Sequence, residues 1–268
     1  MSVRVIPILL ELYREQNFCP SRALRHSDNY RNQCDNWMTK FSNSKLNNMA
    51  YKFITYHQKE LTTEEQLQKS ESFYQLLDKR RSVRDYSDKP IDIKVIENII
   101  KAAGTAPSGA HKQPWTFCVV SNPELKTKIR EAAEEEEKKS YGGRMSERWK
   151  ADLEPLGTTW EKPFIEIAPY IIVVFKRVHE TVDGEKRNNY YVNESVGIAC
   201  GMLIAAIHNA GLVTLTHTPS PMNFLGKLLN RPENERAYLL LPVGHPIKNA
   251  EVPDLQRKKL NKLLVVYK

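Results

Sequence analysis

From about residue 70 onward the chain alternates between two hydrophobic periods. Glu71 to Lys79 places Phe73, Leu76 and Leu77 on one helical face. Asp92 stands where a helix N-cap belongs, ahead of Ile93, Ile96, Ile99, Ile100 and Ala103 at helical spacing. Trp115 to Val120 has strand composition. Pro123 then opens the charged segment PELKTKIREAAEEEEKKSY, predicted as a helix with Leu125, Ile129 and Ala132 as its apolar stripe. Tyr170 to Val178 is a continuous Ile/Val/Phe run of strand length, the pattern of a strand covered on both faces. Residues 192 to 210 carry the longest apolar helix signal, with Gly211 in the place of a C-terminal cap. Leu212 to Thr216 and Tyr238 to Val243 predict two further strands, with a short helix around Phe224 to Leu229 between them. Strands separated by helices in this way predict an α+β domain built on one sheet.

Upstream, residues 14 to about 70 are polar with little sustained period. They read as an extension (1–69 with the N-terminus, in part disordered), and the folded domain is expected over 70–268. Met1 to Tyr13 is apolar for only a few residues at a time and contains Arg4, Pro7 and Glu11. That is too short for a bilayer, which takes ~20 apolar residues, so membrane association is not expected. A chain of 268 residues that is 41% hydrophobic can bury a real core, the mark of a soluble globular protein. Forty Lys+Arg against 32 Asp+Glu give a formal charge of +8. That excess suits nucleic acid, a membrane surface or small anions, or equally a solvated basic surface, because the charges are spread along the chain. Cys19, Cys34, Cys118 and Cys200 lack CxxC spacing and read as reduced structural thiols, which fits the cytoplasm. No metal-type spacing is present.

Two blocks carry chemistry. Arg80-Arg81-Ser82-Val83-Arg84 offers three guanidiniums and a hydroxyl that can converge on a phosphate, since arginine donates in a fork that matches phosphate oxygens. Cations also gather at helix C-termini for dipole reasons, so alone the block supports either reading. Ala106-Pro107-Ser108-Gly109-Ala110-His111 is a tight turn of small residues leading to Gln113-Pro114-Trp115. Such a turn lets a flat ligand approach the backbone and leaves N–H groups to donate to it; an ordinary helix-to-strand loop has the same composition.

Together, RRSVR followed by APSGAH and QPW resemble the FMN-binding region of the nitroreductase superfamily. Downstream, the stretches GTAPSGAHKQPWTF, EEEEKKSY, RWKADLEPLGTTWEKPF, IACGMLIAAIHNAGLVTLTHTP and VPDLQRKKL resemble its iodotyrosine deiodinase family, over roughly residues 70 to 265. The resemblance implies a nitroreductase-like FMN-binding fold, a central mixed sheet flanked by helices, in a homodimer with FMN at the subunit interface. It implies that Arg80, Arg81, Ser82, Val83 and Arg84 bind the flavin with Arg257 joining the phosphate cluster. Ser108 and Gly109 would lie beside the ring system, as would Thr216, His217 and Thr218. Thr218 is the implied catalytic hydroxyl near the flavin N5. The Ala110 N–H is implied to meet the substrate phenolate, while Glu137, Tyr141 and Lys162 hold the substrate zwitterion. Residues 1 to 69 do not match the membrane anchor that vertebrate members carry.

Physical chemistry supports the last trio independently. A zwitterion needs an anion for its ammonium and a cation for its carboxylate, and Glu137 and Tyr141, four apart, share one helical face. From composition alone, Glu134 to Glu137 is a solvated face and Lys162 a surface lysine. His217 stands where vertebrate deiodinases carry a run of threonines. A lone histidine is more often packed than catalytic, but at this place it could tune the flavin or titrate near neutral pH. The implied activity is FMN-dependent reductive dehalogenation of mono- and diiodotyrosine to tyrosine and halide, with NADPH as ultimate electron source, directly or through a separate reductase. Two other readings stay open at this point. One is a broad FMN nitroreductase or quinone reductase; the other is a nonenzymatic basic binding protein using RRSVR and the tail RKK.

Overall fold

The computed structural model describes residues 51–268, and the chain divides into two units, Met1–Glu60 and Leu61–Lys268. The Met1 to Tyr13 segment, Cys19 and Cys34 lie outside the described residues. In the second unit, helix α1 spans Thr63–Asp78 and starts upstream of the expected Glu71. A capping box explains the difference: the Glu65 N–H donates to Thr62 Oγ1 while the Thr62 N–H donates to the Glu65 carboxylate.

Next along the chain come β1 (Tyr86–Ser87), α2 (Ile93–Gly104), β2 (Trp115–Val120), α3 (Pro123–Lys139), α4 (Glu147–Leu153) and α5 (Phe164–Ile167). They continue with β3 (Tyr170–Arg177), β4 (His179–Val182), β5 (Glu185–Asn188), α6 (Val192–Asn209), β6 (Val213–Thr214), α7 (Asn223–Leu228) and β7 (Glu235–Pro246). Asp92 caps α2 as its position predicts, accepting from the Lys94 N–H. The main sheet runs β1-β7-β3-β2 with β6 also paired to β7, and every ladder is antiparallel. The parallel component of the expected mixed sheet is, among the described residues, one isolated bridge between Ser82 and Thr214.

The uninterrupted apolar run of β3 reflects its place in the middle of that sheet. Ile172 and Val174 join one core cluster with Ile96, Ile99, Val196, Leu203 and Ile207 of α2 and α6. Their neighbours Ile171, Val173 and Phe175 join the other, with Ile129, Ala133, Phe164, Ile165 and Leu225 of α3, α5 and α7. Each fully buried side chain of this kind contributes roughly 1.5–3 kcal/mol relative to exposure. Lys126 ties the second layer together: its buried ammonium donates to the Glu166 and Ala168 carbonyls at 2.7 and 2.9 Å, closing the end of α5. No helix among the described residues is long and apolar enough to cross a membrane.

Candidate active site

A cavity of about 510 Å³ opens between the end of α1, the segment from α3 to α5, the segment after β6 and the chain after β7. The RRSVR block comes directly after α1, so Arg80, Arg81, Ser82 and Arg84 line one wall, and Arg257 arrives from the far end of the chain. Counting Lys162, five cationic side chains face one carboxylate, Glu137, so the cavity favours an anion. Burial lowers the Arg80 pKa from its ordinary value, and the charges of Arg257 and Arg81 lower it further. Those repelling guanidiniums fit the phosphate of a cofactor such as FMN, which would relieve the repulsion. Arg257 is held by Asp78 at 3.0 Å and donates to the Arg80 carbonyl at 2.8 Å. Arg81 donates to the Pro253 carbonyl. Val83 does not share this wall: its side chain is buried and borders a separate, smaller cavity, because successive residues of an extended segment face opposite ways.

The opposite wall is built by the Glu-rich helix and the segment after it. Glu137 on α3 and Tyr141 in the turn Ser140–Arg144 both reach the cavity, one helical turn apart. Lys162, three per cent exposed, sits 3.7 Å from Glu137 and also donates to Thr158 Oγ1 and the Thr159 carbonyl. Its own backbone N–H donates to Glu134 at 2.8 Å, which fixes the loop. Tyr141 donates to the Thr158 carbonyl at 3.0 Å. Burial pushes the Glu137 carboxyl up and the Lys162 ammonium down from their ordinary values, and each partner's charge pulls the other part of the way back. The solvated-face reading therefore fails at Glu134 and Glu137 and survives at Glu135, which is 68% exposed. Met145, Trp149, Leu153 and Leu156 complete this wall as an apolar surface suited to a ring. The spacing of Trp149, Leu153 and Leu156 at i, i+4 and i+7 was a usable signal for it.

At the base, Thr216, His217 and Thr218 leave β6 and are held by a two-way bridge, His217 N to Leu240 O at 2.9 Å and Leu240 N to His217 O at 3.0 Å. Strand alternation exposes Thr216 and Thr218 and buries His217 edge-on against Phe164, ring centroids 5.7 Å apart. Burial, then the charges of Lys162 and Arg84, push the His217 imidazole down to about 3. It is neutral at physiological pH, which corrects the expectation of titration near neutrality, and its Nε2 has no hydrogen-bond partner.

Ser108, Gly109 and Ala110 do not line the cavity. They form a turn packed on the start of α6, with Ala110, His111 and Gln113 all at positive φ. Left-handed backbone costs an L-residue roughly 1–2 kcal/mol, so the turn needs firm anchoring. It has that anchoring: the Gly109 N–H donates to Ser195 Oγ, those of His111 and Lys112 to the Ser108 and Gly109 carbonyls, and that of Gln113 to Ser108 Oγ. Within this turn the N–H groups of Ser108 and Ala110 make no hydrogen bond.

Comparison with known proteins accounts for this arrangement. The model of the nitroreductase family matches residues 77–245. An iodotyrosine deiodinase from Haliscomenobacter hydrossis is 62% identical over 216 residues, covering 80% of this chain and 97% of that protein. Iodotyrosine deiodinase 1 of Homo sapiens is 46% identical over 233 residues, covering 86% and 78%. A crystal structure of oxidized iodotyrosine deiodinase bound to FMN and 3-iodo-L-tyrosine matches with a TM-score of 0.65 at 33% identity, over 73% of this chain and 98% of that one.

The chain belongs to the iodotyrosine deiodinase branch of the nitroreductase family. It is thus an oxidoreductase, and the reading as a nonenzymatic basic binding protein falls away. For a deiodinase-family chain, the cavity unites Arg80, Arg81, Ser82, Arg84, Thr216, His217, Thr218 and Arg257 with Glu137, Tyr141 and Lys162. It leaves Ser108, Gly109 and Ala110 on a separate face.

Proposed function

We propose that the protein is an FMN-dependent reductive dehalogenase converting mono- and diiodotyrosine to tyrosine and iodide, with NADPH as the ultimate reductant. The observation that carries this reading is the buried Lys162–Glu137 pair with Tyr141 beside it, in a cavity that is otherwise cationic. Arg80, Arg81, Ser82, Arg84 and Arg257 would hold the cofactor phosphate, and the exposed hydroxyls of Thr216 and Thr218 would face its ring. Bound there, reduced FMN supplies the two electrons that, with one proton, replace a C–I bond by C–H and release iodide.

The chain's own contribution is binding and orientation. Glu137 accepts from the substrate ammonium, and Lys162 donates to its carboxylate. Tyr141 adds a hydroxyl, and all three already satisfy one another or Thr158 before substrate arrives. A substrate therefore exchanges existing pairs for its own inside a site where water is scarce, which strengthens each charged contact. Met145, Trp149 and Leu153 cover the aromatic ring.

The unengaged Ala110 N–H supports a contact to the phenolate, and the absence of Ser108, Gly109 and Ala110 from the cavity lining supports a homodimer in which a second copy brings its Ser108–Ala110 turn to the site. The exposed apolar tail, with Leu260 at 68%, Val265 at 73% and Tyr267 at 93%, supports the same assembly by reaching across that partner. The free thiols of Cys118 and Cys200 suit a reducing, cytoplasmic setting.

Comparing 3-iodotyrosine with 2-iodophenol, which lacks the amino acid portion, tests this reading. Turnover per KM at least about a hundredfold higher for the amino acid is expected, from two charged contacts of about tenfold each. Equal turnover of the two, or faster turnover of nitroaromatics than of either, would favour a broad nitroreductase.

A further inference from the structure

Among the described residues, six non-glycine residues have positive φ, and four of them lie in the two segments that meet at Gly109. Ala110, His111 and Gln113 belong to the turn, and Tyr191 precedes α6 directly beneath it. Gly109 is the point of closest approach. A Cβ built on it would lie 2.9 Å from the Tyr190 carbonyl oxygen and 3.1 Å from the Tyr191 ring. Only glycine fits that backbone approach, and glycine by itself holds no conformation.

What holds it is a set of hydrogen bonds to the peptides on either side. The peptide before Gly109 is pinned at both ends: its N–H donates to Ser195 Oγ at 3.2 Å, with Ser195 two per cent exposed on α6, and its Ser108 carbonyl accepts from the His111 N–H at 3.0 Å. The peptide after Gly109 is pinned because its carbonyl accepts from the Lys112 N–H at 3.1 Å. That second peptide carries the Ala110 N–H, on the side away from the occupied carbonyl. The direction of the free donor is therefore set by these three bonds, and the one to Ser195 is the one supplied from outside the turn.

We infer that Ser195, which does not line the cavity, is a positioning residue that aims the Ala110 N–H at the phenolate oxygen of a bound halotyrosine. This rests on the halotyrosine reading above. Without the Ser195 hydroxyl, the Gly109 N–H loses its acceptor, and the peptide before Gly109, held then only through bonds internal to the turn, shifts and carries the neighbouring peptide with it. The fold keeps its core, because the serine hydroxyl occupies little volume and the rest of α6 is packed through Val196, Ala199, Leu203 and Ile207.

The test is the affinity of FMN-loaded parent, Ser195→Ala and Ser195→Thr for 3-iodotyrosine, measured across the pH range in which the ligand's phenol ionises. The ratio of variant to parent affinity is read at each pH. For Ser195→Ala that ratio is expected to fall about tenfold between the neutral phenol and the phenolate, which is ~1.4 kcal/mol confined to the ionised ligand. Flavin content and thermal midpoint should match the parent, and Ser195→Thr, which keeps the hydroxyl, should recover most of the loss. A ratio that does not change with pH, flavin loss with Ser195→Ala, or no difference from the parent would each overturn the assignment. A parent that binds no 3-iodotyrosine at any pH would instead overturn the halotyrosine reading on which it rests.

Discussion

Replacing Lys162 by Gln isolates the charge at the heart of the proposed substrate clamp. The ammonium lies 3.7 Å from the Glu137 carboxylate, with side chains only 4% and 12% exposed. At an effective dielectric of ~20, unit charges at that separation attract by about 4 kcal/mol, and the cost of desolvating both offsets most of this. Gln keeps an N–H donor, one bond shorter than the ammonium, but removes the charge. The carboxyl of Glu137, already pushed up by burial and pulled back by Lys162, then moves further up. The zwitterion thereby loses its carboxylate partner and meets a more readily protonated Glu137. The expected net loss is roughly 1.4–2.8 kcal/mol, or about 10–100-fold in Kd. Titration of the flavin fluorescence with 3-iodotyrosine measures it. The sign in pH is also set: halotyrosine binding weakens as pH falls through the Glu137 pKa, and in Lys162→Gln that weakening should begin at higher pH. Reduction of a nitroaromatic without charged groups should change less than about threefold. Equal losses for both substrates would show that Lys162 supports the fold and not the clamp.

Other sites give separate tests. His217 is held down to about 3, below the ~6.5 of a free imidazole, so its contribution to stability is complete above ~6.5 and lost as pH falls toward 3. His217→Gln should flatten the fall of Tm between about pH 6.5 and 4, and an unchanged slope would place the acid sensitivity elsewhere. Arg257→Ala, at an exposed position, should weaken flavin retention by about tenfold on dilution and dialysis with the fold intact, while full retention would remove it from the phosphate site. Thr218→Ala should keep FMN yet lose about tenfold more iodotyrosine turnover than nitroaromatic turnover, and parallel losses would deny it a role in the chemistry.

The elements that sequence made legible are those whose period is enforced by burial. The run in β3 and the apolar α6 each sit between packed layers, so their hydrophobic patterns are strong and their bounds nearly as expected. The β4–β5 hairpin escaped because its side chains are largely solvated and show no alternation. Its one signal was Asp183-Gly184, whose φ values of 54° and 80° are those of a tight hairpin turn. The strand expected over Leu212 to Thr216 is reduced to Val213–Thr214, since beyond it only the His217–Leu240 bridge continues the pairing. On α3 the fully buried alanine is Ala133, beside the expected Ala132, a shift of one position within the same stripe. Within the site, the RRSVR block was legible from its own residues, whereas Arg257 and the trio Glu137, Tyr141 and Lys162 were reached only through the family resemblance. Neither could disclose that Glu134 braces Lys162, that His217 turns inward, or that Ser195 grips Gly109, because each depends on a contact between distant segments.

An anaerobic single turnover bears most directly on the central claim. Protein carrying FMN, reduced beforehand and mixed with one equivalent of 3-iodotyrosine, should return the oxidised flavin spectrum while releasing one tyrosine and one iodide per flavin. Flavin that stays reduced with 3-iodotyrosine intact, although the same preparation reduces a nitroaromatic, would contradict the account.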